Sequence, residues 1–140
     1  MQQQQHSLAI QTRGPGLHEF TSDLNAFIAR SDIATGLVTA FCRHTSASLL
    51  IQENADPDVR TDLLGFFRRL APEGMDWIVH DTEGPDDMPA HIKTALTQTS
   101  IGIPVVRGEA VLGTWQGIYL FEHRARPHRR EVFLHLIGEA

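Results

Sequence analysis

An α+β fold, one domain with a largely antiparallel β-sheet packed against a few helices, is what this chain of 140 residues predicts. Three observations lead there. Apolar residues alternate with period two in separate runs, most clearly over 117–123 and 130–137. Two stretches that open on Asp and Pro switch to helical spacing. The order is strand, helix, paired strands, two helices and then several strands in succession, which opposes a doubly wound βαβ repeat.

Taken in order, residues 1–6 carry four glutamines and are expected to fray, leaving 7–140 as the domain. Residues 7–12 read as a first strand, closed by the turn Gly14-Pro15-Gly16. From 21 to 29 the pattern is helical, with Leu24, Phe27 and Ile28 on one face and Thr21 or Ser22 as cap. Residues 35–42 are β-branched and aromatic, and a second run follows over 47–51. Asp56 is a natural N-cap with Pro57 in the first helical position, and Val59, Leu63, Phe66, Phe67 and Leu70 form the expected buried stripe. Residues 71–84 offer one short strand at 77–79, and a Pro-started helix covers about 89–97. Strands are expected over 101–107, 110–112, 117–123 and 130–137.

Composition excludes several classes. Twelve Lys and Arg against 17 Asp and Glu give a net charge of −5, the wrong sign for a generic nucleic-acid binder. One cysteine, Cys42, rules out a disulfide framework; lying mid-strand among apolar neighbours, it reads as a core residue. No apolar run is long enough to span a bilayer, and the N-terminus lacks the basic start and apolar stretch of a signal peptide. The cytoplasm is the expected location, with no membrane partner.

Chemistry concentrates in four places. Residues 43–48, Arg43-His44-Thr45-Ser46-Ala47-Ser48, put an imidazole and small hydroxyls at a strand end. Residues 73–91 hold six acidic side chains with no Lys or Arg, and His80 and His91 lie among them; a bound cation would relieve the repulsion. Asp86 or Asp87 suits a helix cap there, and His91 in the first helical turn favours the neutral, ligating imidazole. Asp62, four residues after Asp58 on one helix face, calls for a partner, either an arginine or a metal-bound histidine. Glu122 shares a strand face with Ile118 and Leu120, a costly place for an unpaired carboxylate. Arg124, Arg126, Arg129 and Arg130 follow it, a cluster suited either to solubility or to phosphate. Gly113 and Gly117 bracket Trp115 and Gln116, marking a bend or bulge. His123, His128 and His135 have no assigned role. By spacing alone, His44, His80 and His91 on separate elements can converge on one ion, zinc or another transition metal, with magnesium kept open by the carboxylates.

These segments closely resemble the YjbQ family of secondary thiamine-phosphate synthase-like proteins. The match is carried by His44-Thr45-Ser46-Ala47-Ser48, Asn54, Asp56-Pro57, Val59-Arg60 and Asp62, then His80-Asp81, Glu83-Gly84, Asp86-Asp87-Met88-Pro89, His91-Ile92-Lys93 and Gly113-Thr114-Trp115-Gln116-Gly117. It extends over about 7–139. The resemblance implies a cytosolic homotrimer with a metal ion in a cleft near the subunit interface. Carried over by position, it implies His44, His80 and His91 as metal residues, with zinc ahead of magnesium or manganese. Asp62, Asp81, Asp86 and Asp87 become carboxylates that bind the metal or support its ligands, and Asp62, Asp81 and Glu122 are the candidate catalytic carboxylates. Thr45, Ser46, Asn54, Asp86, Asp87, Trp115, Gln116, Arg124 and Arg130 become candidate substrate contacts. The implied reaction joins a hydroxymethylpyrimidine diphosphate to a thiazole phosphate and releases pyrophosphate. A non-catalytic metal- or phosphometabolite-binding protein and a metal-assisted hydrolase are the competing readings.

Overall fold

The computed structural model describes all 140 residues, Met1–Ala140. Strict alternation builds its larger sheet. Val132, Leu134 and Leu136 point inward from β8 (His128–Glu139), opposite Val38, Ala40 and Cys42 of β3 (Thr35–Cys42). β5 (Ser100–Val106) adds Ile101, Ile103 and Val105 to the same face. With β1 (Gln2–Thr12) and the two-residue β6 (Glu109–Ala110), the order is β1-β8-β3-β5-β6, antiparallel throughout. Gly36 and Gly138 face each other where β3 and β8 approach; a Cβ on Gly36 would lie 2.2 Å from the Ile137 carbonyl oxygen.

A second, three-stranded sheet has the order β2-β7-β4, from β2 (Gly16–Glu19), β7 (Gln116–Glu122) and β4 (Ala47–Glu53). Its Ala47, Leu49, Ile118 and Leu120 join the larger sheet's inner face in one buried cluster of 18 residues. Leu24, Phe27 and Ile28 of α1 (Thr21–Ala29) complete that core. The opposite face of β7 presents Tyr119, Phe121 and then His123. Phe121 meets Phe67 of α2 (Pro57–Leu70) edge-on at 5.2 Å, and Arg60 of α2 reaches the Tyr119 hydroxyl. The third helix, α3 (Asp87–Leu96), packs beside β4.

Several expectations need correction. Residues 2–6 pair with β8 along its whole C-terminal half instead of fraying, because β8 is long enough to offer them a ladder. No strand forms at 77–79, and β2 is an added short strand. The cap of α1 is not a side chain: Thr21 instead donates to Glu19 Oε2 and accepts the Ile118 N–H, tying the helix start to β7. Asp56 does cap α2, accepting the Asp58 N–H at 2.9 Å. The apolar stripe of α2 is not buried; Phe66 is 57% and Leu70 50% exposed. Phe67 and Arg60 meet the small sheet, while the outer part of the stripe, Phe66 and Leu70, stays at the surface.

Candidate functional site

The site is assembled where α3 begins. Gly84 has φ +102°, a conformation open to glycine, and the turn it makes delivers Asp86 and Asp87 to the helix start. Because α3 begins at Asp87, not at Pro89, Asp87 and His91 stand four apart on one helix face. His80, from the preceding loop, approaches the same carboxylate. Its Nε2 lies 2.8 Å from Asp87 Oδ2, and His91 Nε2 lies 3.1 Å from that oxygen. The ligand atoms of His80, Asp87 and His91 all fall within 4.8 Å of one another.

Two of the three members, His91 and Asp87, are oriented by a further contact. His91 Nδ1 is 2.8 Å from the Thr45 carbonyl oxygen, which can only accept; Nδ1 therefore carries a proton. Asp87 is 3% exposed, and its Oδ1 accepts from Arg124 Nη1 at 2.6 Å. Burial works against the Asp87 charge, but the His80 hydrogen bond, His91 and Arg124 outweigh it and hold the carboxyl below its usual range. His91 opens onto a cavity of about 630 Å³ that His44, Thr45 and Thr94 also line. His80 and Asp81 line a smaller one, of about 230 Å³, bounded by Gly84 and Pro89.

His44 shares the larger cavity but not the ligand cluster. Its Nε2 accepts the Glu131 backbone N–H at 2.8 Å, which commits the nitrogen that a metal would need. Burial, then Arg130, lower its pKa, in keeping with that neutral role. Asp87, expected as a carboxylate at or beside the ion, is the third member of the cluster.

The other predicted residues divide in two. One group is structural. Glu122 is fully buried and accepts from Arg130, Thr12 Oγ1 and the His123 and Arg124 N–H groups, so it has no lone pair to spare for catalysis. Arg130 also holds the Ser46 carbonyl and hydroxyl. Arg124 is spent on Asp86, Asp87 and the Glu83 carbonyl, and Asp86 accepts from Arg124 and the Ala125 N–H rather than capping α3. The expected phosphate-binding arginines are thus internal counter-ions. The second group lies elsewhere. Asn54, Trp115 and Gln116 contact one another at the Glu53–Gln116 end of β4 and β7, six register steps from the Ala47–Glu122 end, roughly 20 Å at ~3.3 Å per residue. Asp62 is exposed on α2 without the partner expected of it, and Asp81 is exposed beside His80.

One residue without an assigned role proves central to the fold. His123 is 2% exposed, bonded through Nε2 to Ser48 Oγ at 2.9 Å, and burial drives its pKa down to about 3. Its place after Tyr119 and Phe121 on one strand face was the available clue.

Fold and site together define a two-sheet α+β domain with a His–Asp–His cluster at a helix start. Residues 6–139 match the family model described as UPF0047 protein YjbQ-like. A UPF0047 protein of Synechocystis is 58% identical over 98% of this chain and 93% of its own length, and the UPF0047 protein YjbQ of Escherichia coli O157:H7 is 41% identical over 96% and 98%. A crystal structure of a conserved hypothetical protein from Thermus thermophilus superposes with a TM-score of 0.85 at 35% identity, covering 94% of this chain and 99% of that one. The chain belongs to the YjbQ (UPF0047) family. No helix is long and apolar enough to cross a membrane.

Proposed function

We propose that the protein is a metal-dependent enzyme acting on a phosphorylated small molecule, with His80, Asp87 and His91 holding the ion. The proton inventory at His91 carries this reading. With Nδ1 committed as donor to Thr45, a neutral ring turns the Nε2 lone pair toward an anionic oxygen at 3.1 Å. A second proton or a cation shared by the three groups resolves that opposition, and two imidazoles with one carboxylate are a zinc-type donor set that leaves a position open. The bound ion would supply charge stabilisation for a departing pyrophosphate. Thr45 and Arg124 hold His91 and Asp87 in place for it. Within the family resemblance, formation of thiamine phosphate from a pyrimidine diphosphate and a thiazole phosphate is the reaction this inventory suits.

Metal analysis of the purified protein tests the reading. After zinc supplementation the wild type should retain stoichiometric metal, while His80→Ala and His91→Ala weaken retention at least ~100-fold. His44→Ala should keep the metal, because His44 stands outside the cluster. A metal-free wild type, or equal retention in all three variants, removes the site. Pyrophosphate release from the two thiamine precursors should fall with metal retention; retention without turnover points to the binding-protein reading.

The same reading includes a homotrimer. Leu37, Phe41 and Val106 are 44–47% exposed on the outer face of the larger sheet, and Asn54, Trp115 and Gln116 form a polar group with no partner cluster in their own subunit. Association would cover the first and can bring the second to a neighbour's site. Light scattering should give three times the 15.6 kDa of one chain; a monomer mass rejects the assembly.

A further inference from the structure

We propose that the outward face of α2 is a self-association surface, on which a second copy of this chain lays its own α2 antiparallel, with Asp62 of each copy beside Arg69 of the other. This pairing is independent of the metal reading, and it supplies the partner that Asp62 lacks within its own chain. Phe67 and Arg60 set α2 against one face of the small sheet, whose other face joins the larger sheet in the core. The outward face of α2 is therefore on the opposite side of the molecule from Leu37, Phe41 and Val106.

The apolar pattern is the first argument. Val59, Leu63, Phe66 and Leu70 follow one another at intervals of four, three and four residues. That is the seam spacing of two paired helices, narrower than the stripe of a helix that covers a core. Phe67 and Arg60 fall beside the seam and are the residues that meet the sheet, so the seam itself is turned outward. Phe66 and Leu70 are at least half exposed, and no residue of α2 is fully buried. The helix has 14 residues, about 21 Å at ~1.5 Å each. Two antiparallel copies stack the seam in layers, Val59 on Leu70 and Leu63 on Phe66.

Charge selects the occupant and its direction. Asp62 and Arg69 are seven residues apart, so they share one flank of the seam, each directly before a seam leucine. Both are exposed, and the arginines that form ion pairs within the chain are Arg43, Arg124 and Arg130. Asp58 adds to the acidic first half of the helix and Arg68 to its basic last turn. A parallel copy would set acid against acid and base against base. An antiparallel copy related by a two-fold axis brings Asp62 beside Arg69 twice and opposes the two helix dipoles. A two-fold contact is self-complementary, and one flank that carries both signs in this order matches itself; an acidic or a basic partner helix would match only half of it.

Four seam residues from each copy make a small interface, so the test is light scattering of the full-length protein from roughly 10 µM to roughly 1 mM. The apparent mass of the wild type should rise with concentration to at least twice that of Phe66→Glu. This holds whether the unit that pairs is one chain or a trimer, so the pairing and the trimer can fail separately. Asp62→Arg should weaken pairing about tenfold or more, because two attractive contacts become repulsive. Asp62→Arg combined with Arg69→Asp should restore it. Circular dichroism should be unchanged in these variants, since all three residues are exposed. Equal masses for the wild type and Phe66→Glu over the whole range overturn the proposal. So does a charge reversal without effect, or one that the double exchange fails to restore. A wild type that keeps the unpaired mass but binds vesicles of anionic lipid assigns the face to a membrane surface and overturns it as well.

Discussion

Replacing Arg130 with methionine should destabilise the protein by about 3–5 kcal/mol, the usual cost of stranding a buried charge by removing its partner. Glu122 would be the stranded group. It is fully buried, and Arg130 holds it through Nε at 2.7 Å and again through Nη2. Thr12 Oγ1 at 2.6 Å and two backbone N–H groups would remain, but no positive charge replaces the guanidinium at that distance. The double variant Glu122→Leu with Arg130→Met should recover much of the loss, because well-packed apolar residues often match a buried pair. Urea denaturation of the wild type, both single variants and the double variant closes the cycle. A cost below ~1 kcal/mol for Arg130→Met would mean that the carboxylate finds solvent or another partner. The effect should also reach the site: Arg130 holds Ser46, and the neighbouring Thr45 carbonyl orients His91. Metal retention in Arg130→Met should therefore fall along with stability.

That pair also shows what a sequence displays and what it hides. Local signals are legible. The α1 and β3 boundaries follow from their own residues, and Asp56-Pro57 starts α2 because cap and ring act within one turn. The cost of a carboxylate beside Ile118 and Leu120 is visible too, but its partner is a choice among several arginines that only the turn between β7 and β8 settles. Tertiary placement overrides local pattern elsewhere. The α2 stripe looks buried by periodicity yet rests on a narrow sheet, and residues 2–6 look disordered yet find a partner strand. Two sheets rather than one could not be read from alternation, which reports which residues face inward but not which strands pair. At the site, His80 and His91 are legible as histidines in an acidic stretch. The direct contact of Asp87 with both rings depends on starting α3 two residues earlier than Pro89, a boundary that capping rules do not fix.

Acidification should weaken the fold well before the carboxylates titrate, and His123 should be the main cause. Burial, then the charge of Lys93, lowers its pKa from the ordinary 6.5 to about 3. Between those values the unfolded chain binds a proton that the folded protein refuses. The contribution is complete above pH ~6.5 and declines as pH falls, by up to ~1.4 kcal/mol per pH unit, until the folded ring protonates near 3. His44, also lowered by burial, adds in the same direction. Asp86, Asp87 and Glu122 have depressed pKa values, so their contributions persist above the unfolded carboxylate range near ~4 and are lost only below it. The window from pH 6.5 to 4.5 therefore belongs chiefly to the neutral histidines. His123→Phe suits the site, since Phe121 already packs against that ring at 4.3 Å and Ser48 keeps Thr97 as a partner. Unfolding free energies from urea titration at pH 7.5 and 5 should differ by more than ~1 kcal/mol in the wild type and by much less in the variant. Equal stability at both pH values in the wild type, or the same loss in His123→Phe, would show that the ring protonates without cost. The penalty is chiefly the burial of the ring, and the charges of Lys93 and Arg130 add to it against Glu122.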